Sequence, residues 1–365
     1  MLDTPRWPAP QPDGTSPRSG AGTLDSLDGL RLKVAFLSRP ESYPERPASV
    51  EVVQTHMSCV FLTERHAYKL KKPVRFEFLD FGTLAARRAS CEEELRLNRR
   101  LAPGVYLDVV PLALGDDGCL ALGGDGEVVE WLVRMRRLPA RSMLDRAIRE
   151  QRVTPEDVRR FTRVLADFYR RAEPVAVDAL AYRRGYASGI AACRRELSAP
   201  DYGLPPALPA AAATALQEAL ERLAPRLERR AAERRPVEAH GDLRPEHVCL
   251  APEPLFIDCL EFNRDWRILD PADELSCLAM ECEHAGAPWI GDVVMDTYRE
   301  ATGDDPAAPL LAFYRAYRAF VRAKLAAWHL RDRLDPADQG RWIGRAQRYL
   351  ELAVRCLEAR AAIPR

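Results

Sequence analysis

His240-Gly241-Asp242-Leu243-Arg244-Pro245-Glu246-His247, followed by Phe256-Ile257-Asp258, lies inside the run PVEAHGDLRPEHVCLAPEPLFIDCLEF. The helical pattern on either side breaks here, and the run reads as strand, loop, strand, turn, strand. It holds one carboxylate on a loop, a candidate metal ligand five residues on, and a second carboxylate at the end of the next strand. That is equipment for phosphoryl transfer: one Asp orients or deprotonates an attacking hydroxyl, and the later groups hold the metal ions that bridge nucleotide phosphates.

Upstream, the pattern from Val50 is β-like. VEVVQT, CVFLT and AYKLK, rich in β-branched and aromatic residues, predict three short antiparallel strands. Leu84 to Leu101 has apolar residues near helical spacing and stops before Ala102-Pro103-Gly104. Two more strands, VYLDVVPLAL and EVVEWLVRMRRL, flank a Gly/Asp-rich turn. Beyond Pro139 the chain is mainly helical, with a helix opening at Pro155 and an Ala-rich one from Ala210 to Arg234; after Asp258 helices resume to the C-terminus. Residues 1–25 are dense in Pro, Gly, Ser and Thr and are expected to be a disordered tail. The expected organisation is therefore 26–137, β-rich, and 138–365, α-rich, in an α+β, two-lobed fold.

The HGD loop resembles the kinase catalytic loop H-R-D-x-x-x-x-N in the form seen in aminoglycoside phosphotransferases and related small-molecule kinases, which have a protein-kinase-like fold. Asp270-Pro271-Ala272-Asp273-Glu274-Leu275 is similar to the G-D-P-x-x-D-L-A segment of that family, with Glu274 at the second acid. More narrowly, THMSCVFLTERHAYKLKKPVRFEFLDFGTL with CEEELRLNRRLAPGVYLDVVP resembles an uncharacterised branch of it, some members of which carry an additional P-loop ATP-binding domain. No Lys in this sequence is preceded by Gly, so that motif cannot be written in it.

The resemblance implies ATP with Mg2+ or Mn2+, a hydroxylated small molecule as acceptor, and residue roles. Asp242 would position the acceptor hydroxyl and Arg244 meet the transferred phosphate. Lys69, preceded by Ala67 as in V-A-I-K, would grip phosphates and pair with Glu94, with Lys71 on the same strand face and Glu92 and Glu93 on the helix as competitors. The loop from Thr55 to Ser58 would cover the phosphates, and Met135 and Arg136 would present backbone groups to adenine, an ordinary strand end being the alternative. Asp258 and His247 would hold metal, and Glu261 would either assist it or cap the next loop.

Two features depart from the family. His247 stands where Asn is usual, and imidazole suits Mn2+ or Zn2+ better than Mg2+. No G-x-G-x-x-G precedes the lysine, as in relatives with glycine-poor loops. His247 keeps open a catalytically impaired nucleotide- or partner-binding module; metal-dependent phosphoester hydrolysis through His240, Asp242, His247 and Asp258 is a third reading. Cys277, Cys282 and His284 could be drawn as a zinc cluster but are expected to pack as core.

With 365 residues, 47% hydrophobic and 30% charged, the chain can bury a substantial core, which excludes a small stapled domain and wholesale disorder. Lys+Arg and Asp+Glu both number 54, so no global field draws it to nucleic acid or an anionic membrane. No run approaches the roughly 20 apolar residues of a membrane span, and nine scattered cysteines suggest a reduced, cytoplasmic setting. Between Asp258 and Asp305 thirteen acids face three arginines, which would favour a cationic acceptor unless the run is structural or solvated. Oligomeric state is not legible.

Overall fold

The computed structural model describes residues 27–76, 78–331 and 335–358; the expected tail, residues 1–25, lies outside them. Chain contacts divide it into two compact units, one of residues up to 139 with 256–263, the other of 140–255 with 264 onward.

In the first unit β1 (Glu51–Gln54), β2 (Ser58–Leu62), β3 (His66–Lys71), β6 (Tyr106–Leu114), β7 (Leu120–Leu122) and β8 (Glu127–Arg136) form one antiparallel sheet in the order β1-β2-β3-β8-β6-β7. The small pair β4 (Arg75–Phe76) and β5 (Leu79–Asp80) lies before the helix α2 (Leu84–Asn98), whose Thr83 side chain accepts from the Ala86 N–H as its N-cap. The three expected hairpin strands and this helix are present. The three-residue β7, the β4–β5 pair and a first helix, α1 (Leu27–Leu37), are additions that sequence periodicity did not supply.

Strand alternation sorts β3 into two faces. Tyr68 and Leu70 point into a core with Leu37, Phe61 and Leu132, against which Leu30 and Val34 of α1 pack. Lys69 and Lys71 take the opposite face, toward Glu94 of α2. The Lys33 ammonium of α1, 2% exposed, donates to the Val129 carbonyl and to Glu130, whose carboxylate also accepts from Arg87 Nε. Two cations on one buried carboxylate tie α1 and α2 to β8, a geometry that is costly to break from either side.

The second unit contains α3 (Leu144–Arg149), α4 (Pro155–Arg171), α5 (Ala179–Leu197), α6 (Ala207–Ala232), α7 (Pro271–His284), α8 (Trp289–Thr302), α9 (Ala308–Trp328) and α10 (Pro336–Glu358). Helix α4 opens with Pro155 at its first turn and a Thr154–Asp157 capping box, which satisfies the free amides there. Short strands β9 (Val237–Glu238), β10 (Val248–Cys249), β11 (Leu255–Phe256) and β12 (Ile268–Leu269) interrupt the helices, β9 pairing with β12. Every residue of α7 from Pro271 to Cys282 is buried, so its polar side chains find partners inside the fold. Asp270 caps α7 through the Ala272 N–H and accepts two bonds from Arg230; Asp273 accepts from Tyr186 and Arg318. Cys277 and Cys282 are buried in the same helix, and the His284 ring stacks on Tyr349 at 4.1 Å. Among the described residues no helix is long and apolar enough to cross a membrane.

Candidate active site

In the first unit the chemistry gathers on the lysine face of β3. Lys69 Nζ donates to Glu94 Oε1 at 2.9 Å and to Asp258 Oδ1 at 2.6 Å. Lys71 Nζ donates to the other oxygen of Glu94 at 2.7 Å and to Glu261. The sequence offered the two lysines as competitors; both reach Glu94, and Lys69 is the one joined to Asp258. Of the three candidate glutamates, Glu92 and Glu93 pair with Arg88 and Arg96 of their own helix.

The Asp258 backbone sits at φ +62°, a left-handed conformation that costs a non-glycine residue about 1 kcal/mol or more. Two side chains hold it there: the Asp258 N–H donates to the Tyr106 hydroxyl at 3.0 Å and the Cys259 N–H to Asn98 Oδ1 at 2.8 Å. Asn98 lies one helical turn after Glu94 and donates to its carbonyl. Neither Asn98 nor Tyr106 was singled out in the sequence; the i, i+4 spacing from Glu94 was the available signal for Asn98.

Burial alone would lower the Lys69 pKa, but the carboxylates of Asp258, Glu94 and Glu261 outweigh it and hold the ammonium well above its usual range. Burial would raise Glu94; Lys69 and Lys71 pull it below the usual carboxylate value. Burial, with Glu94 and Asp258, drives the Tyr106 phenol upward, so it stays protonated. Two ammonium groups thus face three carboxylates, and the Asp258 side chain is 43% exposed, an arrangement that favours an added cation. Among the described residues no group of three or more His, Cys, Asp or Glu is set to hold a metal ion.

In the second unit the loop 240–247 is built around Glu274 of α7. Its Oε1 accepts the Gly241 N–H at 2.6 Å; its Oε2 accepts the His240 N–H at 3.1 Å and the Tyr169 hydroxyl at 2.7 Å. Gly241 has φ +89°, open to glycine without strain. His240 is fully buried, and its Nδ1 accepts from the Asp242 N–H at 3.3 Å, so it shapes the loop.

The Asp242 side chain is 34% exposed, with Oδ2 at 3.1 Å from Arg244 Nε. Arg244 spends its other nitrogens on Glu246 Oε1 at 2.6 Å and His247 Nε2 at 3.0 Å. His247 Nδ1 faces the Asp242 carbonyl at 2.8 Å and must donate, which leaves Nε2 to accept from Arg244. Both ring nitrogens of His247 are therefore hydrogen-bonded within the loop, and Arg244 links Asp242, Glu246 and His247 there. Burial would lower the Arg244 pKa, yet Asp242 and Glu246 raise it; burial would raise Glu246, which the Arg244 and Arg322 guanidinium groups hold down to about 2.

The remaining expected site residues have local roles. The Thr55 hydroxyl accepts the Ser58 N–H, and the Thr55 N–H donates to the Ser58 carbonyl, closing the β1–β2 turn. Met135 and Arg136 end β8, where the Arg136 and Arg137 N–H groups donate to the Val105 and Arg65 carbonyls. Glu261, with a side chain 8% exposed, is turned onto Lys71. Of the thirteen acids between Asp258 and Asp305, five (Asp270, Asp273, Glu274, Glu281 and Asp304) are buried among partners, so the run is not one acidic surface.

The chain thus carries, in its first unit, a curled antiparallel sheet with a lysine paired to a helical glutamate and an aspartate on a left-handed turn beside that lysine, and, in its second unit, an HGD loop among helices. Uncharacterised proteins of Mycobacterium tuberculosis and Mycobacterium bovis are 31% identical to it over 293 residues, 76% of this chain and 54% of each relative. The chain thus spans about half the length of the curated relatives it matches. No family model matches it. Among solved structures, an amicoumacin kinase in complex with AMP-PNP, Ca2+ and Ami is 12% identical, with 90% of this chain and 95% of that one covered and a TM-score of 0.49. A Plasmodium vivax ethanolamine kinase is 9% identical, with 84% and 81% covered and a TM-score of 0.48.

Proposed function

We propose that the protein is an ATP-dependent phosphotransferase acting on a hydroxyl of a small molecule. The observation that carries this reading is the single ammonium of Lys69 set between a buried glutamate and a half-exposed aspartate, 2.9 and 2.6 Å away. A lysine so held offers a fixed positive charge to phosphate oxygens, and Asp258 offers a carboxylate to a divalent ion. When bound, Mg2+ or Mn2+ neutralises charge on the nucleotide phosphates. Asp242, on a loop whose backbone is pinned by Glu274, orients the acceptor hydroxyl and accepts its proton. Catalysis rests on positioning and electrostatics.

An amine-bearing acceptor is the form favoured by the exposed acids Asp265, Asp292, Asp296, Glu300 and Asp305. A cytoplasmic setting goes with an ATP requirement and with nine free thiols.

The test is thermal stabilisation by ATP with Mg2+, Mn2+ or no metal, on wild type and Asp258→Asn, followed by an acceptor screen. Metal-dependent stabilisation that Asp258→Asn abolishes is the expected result. No stabilisation with any metal refutes the nucleotide site and leaves a partner-binding module.

A further inference from the structure

The pair of lysines on β3 contains more than a phosphate grip needs. Glu94 is fully buried and its two oxygens are divided, Oε1 to Lys69 at 2.9 Å and Oε2 to Lys71 at 2.7 Å. The Lys71 side chain is itself 0% exposed; its ammonium also holds Glu261 and lies 5.3 Å from the centre of the Phe81 ring. A cation this deep persists because two carboxylates and an aromatic face surround it.

The division matters for both neighbours. With Lys71 absent, both oxygens of Glu94 become available to Lys69, and a two-point grip draws that ammonium away from Asp258. Glu261, three residues after Asp258 in the same unit, loses its counter-charge and turns toward another cation. With Lys71 in place, the Glu261 side chain stays 8% exposed while that of Asp258 is 43% exposed.

We infer that Lys71 is a positioning residue of the nucleotide site. It divides Glu94 so that Lys69 keeps its bond to Asp258, and it withholds Glu261 from the metal, so that Asp258 is the carboxylate of this segment offered to a divalent ion. The inference rests on the reading of Lys69 and Asp258 as a nucleotide–metal site.

The experiment is calorimetric titration of ATP into the full chain at graded Mg2+ concentrations, with Lys71→Met, Glu261→Gln, the double variant and Asp258→Asn beside wild type. Methionine keeps the apolar stem and removes the charge. In Lys71→Met, ATP affinity at saturating Mg2+ falls by about tenfold or more, the loss of one charge-assisted bond. Its half-saturating Mg2+ concentration also falls, because the released Glu261 adds a carboxylate. Lys71→Met with Glu261→Gln returns the Mg2+ dependence to wild type while ATP stays weak, since Glu94 is still undivided.

A Lys71 that served only stability leaves the Mg2+ dependence of folded Lys71→Met unchanged, and that result overturns the inference. Glu261→Gln keeps Lys71 and decides the matter where Lys71→Met does not fold. Its half-saturating Mg2+ stays within about twofold of wild type, whereas loss of metal dependence matching Asp258→Asn makes Glu261 a ligand and refutes the proposal. If wild type shows no metal-dependent ATP binding, the parent reading and this one fall together. If wild type binds and Asp258→Asn does not, the Lys71 variants judge this inference alone.

Discussion

Glu274→Gln exchanges one carboxylate oxygen for an amide NH2 at nearly constant volume, inside α7 where the side chain is 1% exposed. The carboxylate accepts three bonds, from the N–H groups of His240 and Gly241 and from the Tyr169 hydroxyl, at 3.1, 2.6 and 2.7 Å. The better orientation of the amide keeps its oxygen under His240 and Tyr169 and sets NH2 against the Gly241 N–H, donor against donor. One charge-assisted bond worth about 1.5–3 kcal/mol is lost, and the two survivors drop to neutral strength, about 1 kcal/mol less each. The sum, about 3–5 kcal/mol, should lower the melting temperature of the second unit by about 10 °C. Urea unfolding followed by tryptophan fluorescence measures the stability, and hydrogen exchange at the Gly241 amide locates the loss in the loop. Tyr169→Phe removes one donor, leaves the His240 and Gly241 bonds intact, and should cost about 1.5–3 kcal/mol. Glu274→Gln within about 1 kcal/mol of wild type, or no worse than Tyr169→Phe, refutes the view that this carboxylate organises the loop.

Asp242→Asn should depress turnover by about a hundredfold or more on an identified acceptor while ATP affinity is retained, as steady-state kinetics beside calorimetry will show; full turnover contradicts its role. Arg230→Met leaves the buried Asp270 carboxylate without its cation and Asp304 with only the longer Arg235 contact at 3.5 Å, and denaturant unfolding should record a loss of about 3–5 kcal/mol. Glu246 gives a pH signature. Its folded pKa of about 2 lies below the unfolded value, so its stabilisation is present above the ordinary carboxylate range and is lost as pH falls toward about 2. Urea midpoints measured across that window should fall less steeply in Glu246→Gln than in wild type, and equal slopes remove Glu246 from the acid response.

How much of this could be read beforehand varies with the range of the interaction. The hairpins of β1, β2 and β3 were legible because strand alternation and turn residues are local signals, and α4 announced itself through Pro155. Helix α1 was not: its short run follows a Pro- and Gly-rich stretch, and its Lys33 reads as a surface residue until Glu130 and the Val129 carbonyl are brought to it from β8. The Arg136 and Arg137 amides at the end of β8 show the same dependence on distant partners. Whether a strand-end amide is free depends on its neighbours across the sheet, and Val105 and Arg65, which take the Arg136 and Arg137 amides, are distant in sequence.

The sequence by itself determined the class of fold and the set of chemical groups. Lys69, Glu94, Asp242 and Asp258 stand at spacings that sequence order alone displays, and the change from β to α patterning near Pro139 is a compositional fact. Only the tertiary structure decided how those groups are shared. It gave one oxygen of Glu94 to each of two lysines, turned Glu261 onto Lys71, and closed Arg244 and His247 within their own loop. Residue types state which atoms can donate or accept; which partner a buried donor takes is settled by the few atoms within about 3 Å of it, and those arrive from elements far apart in the chain.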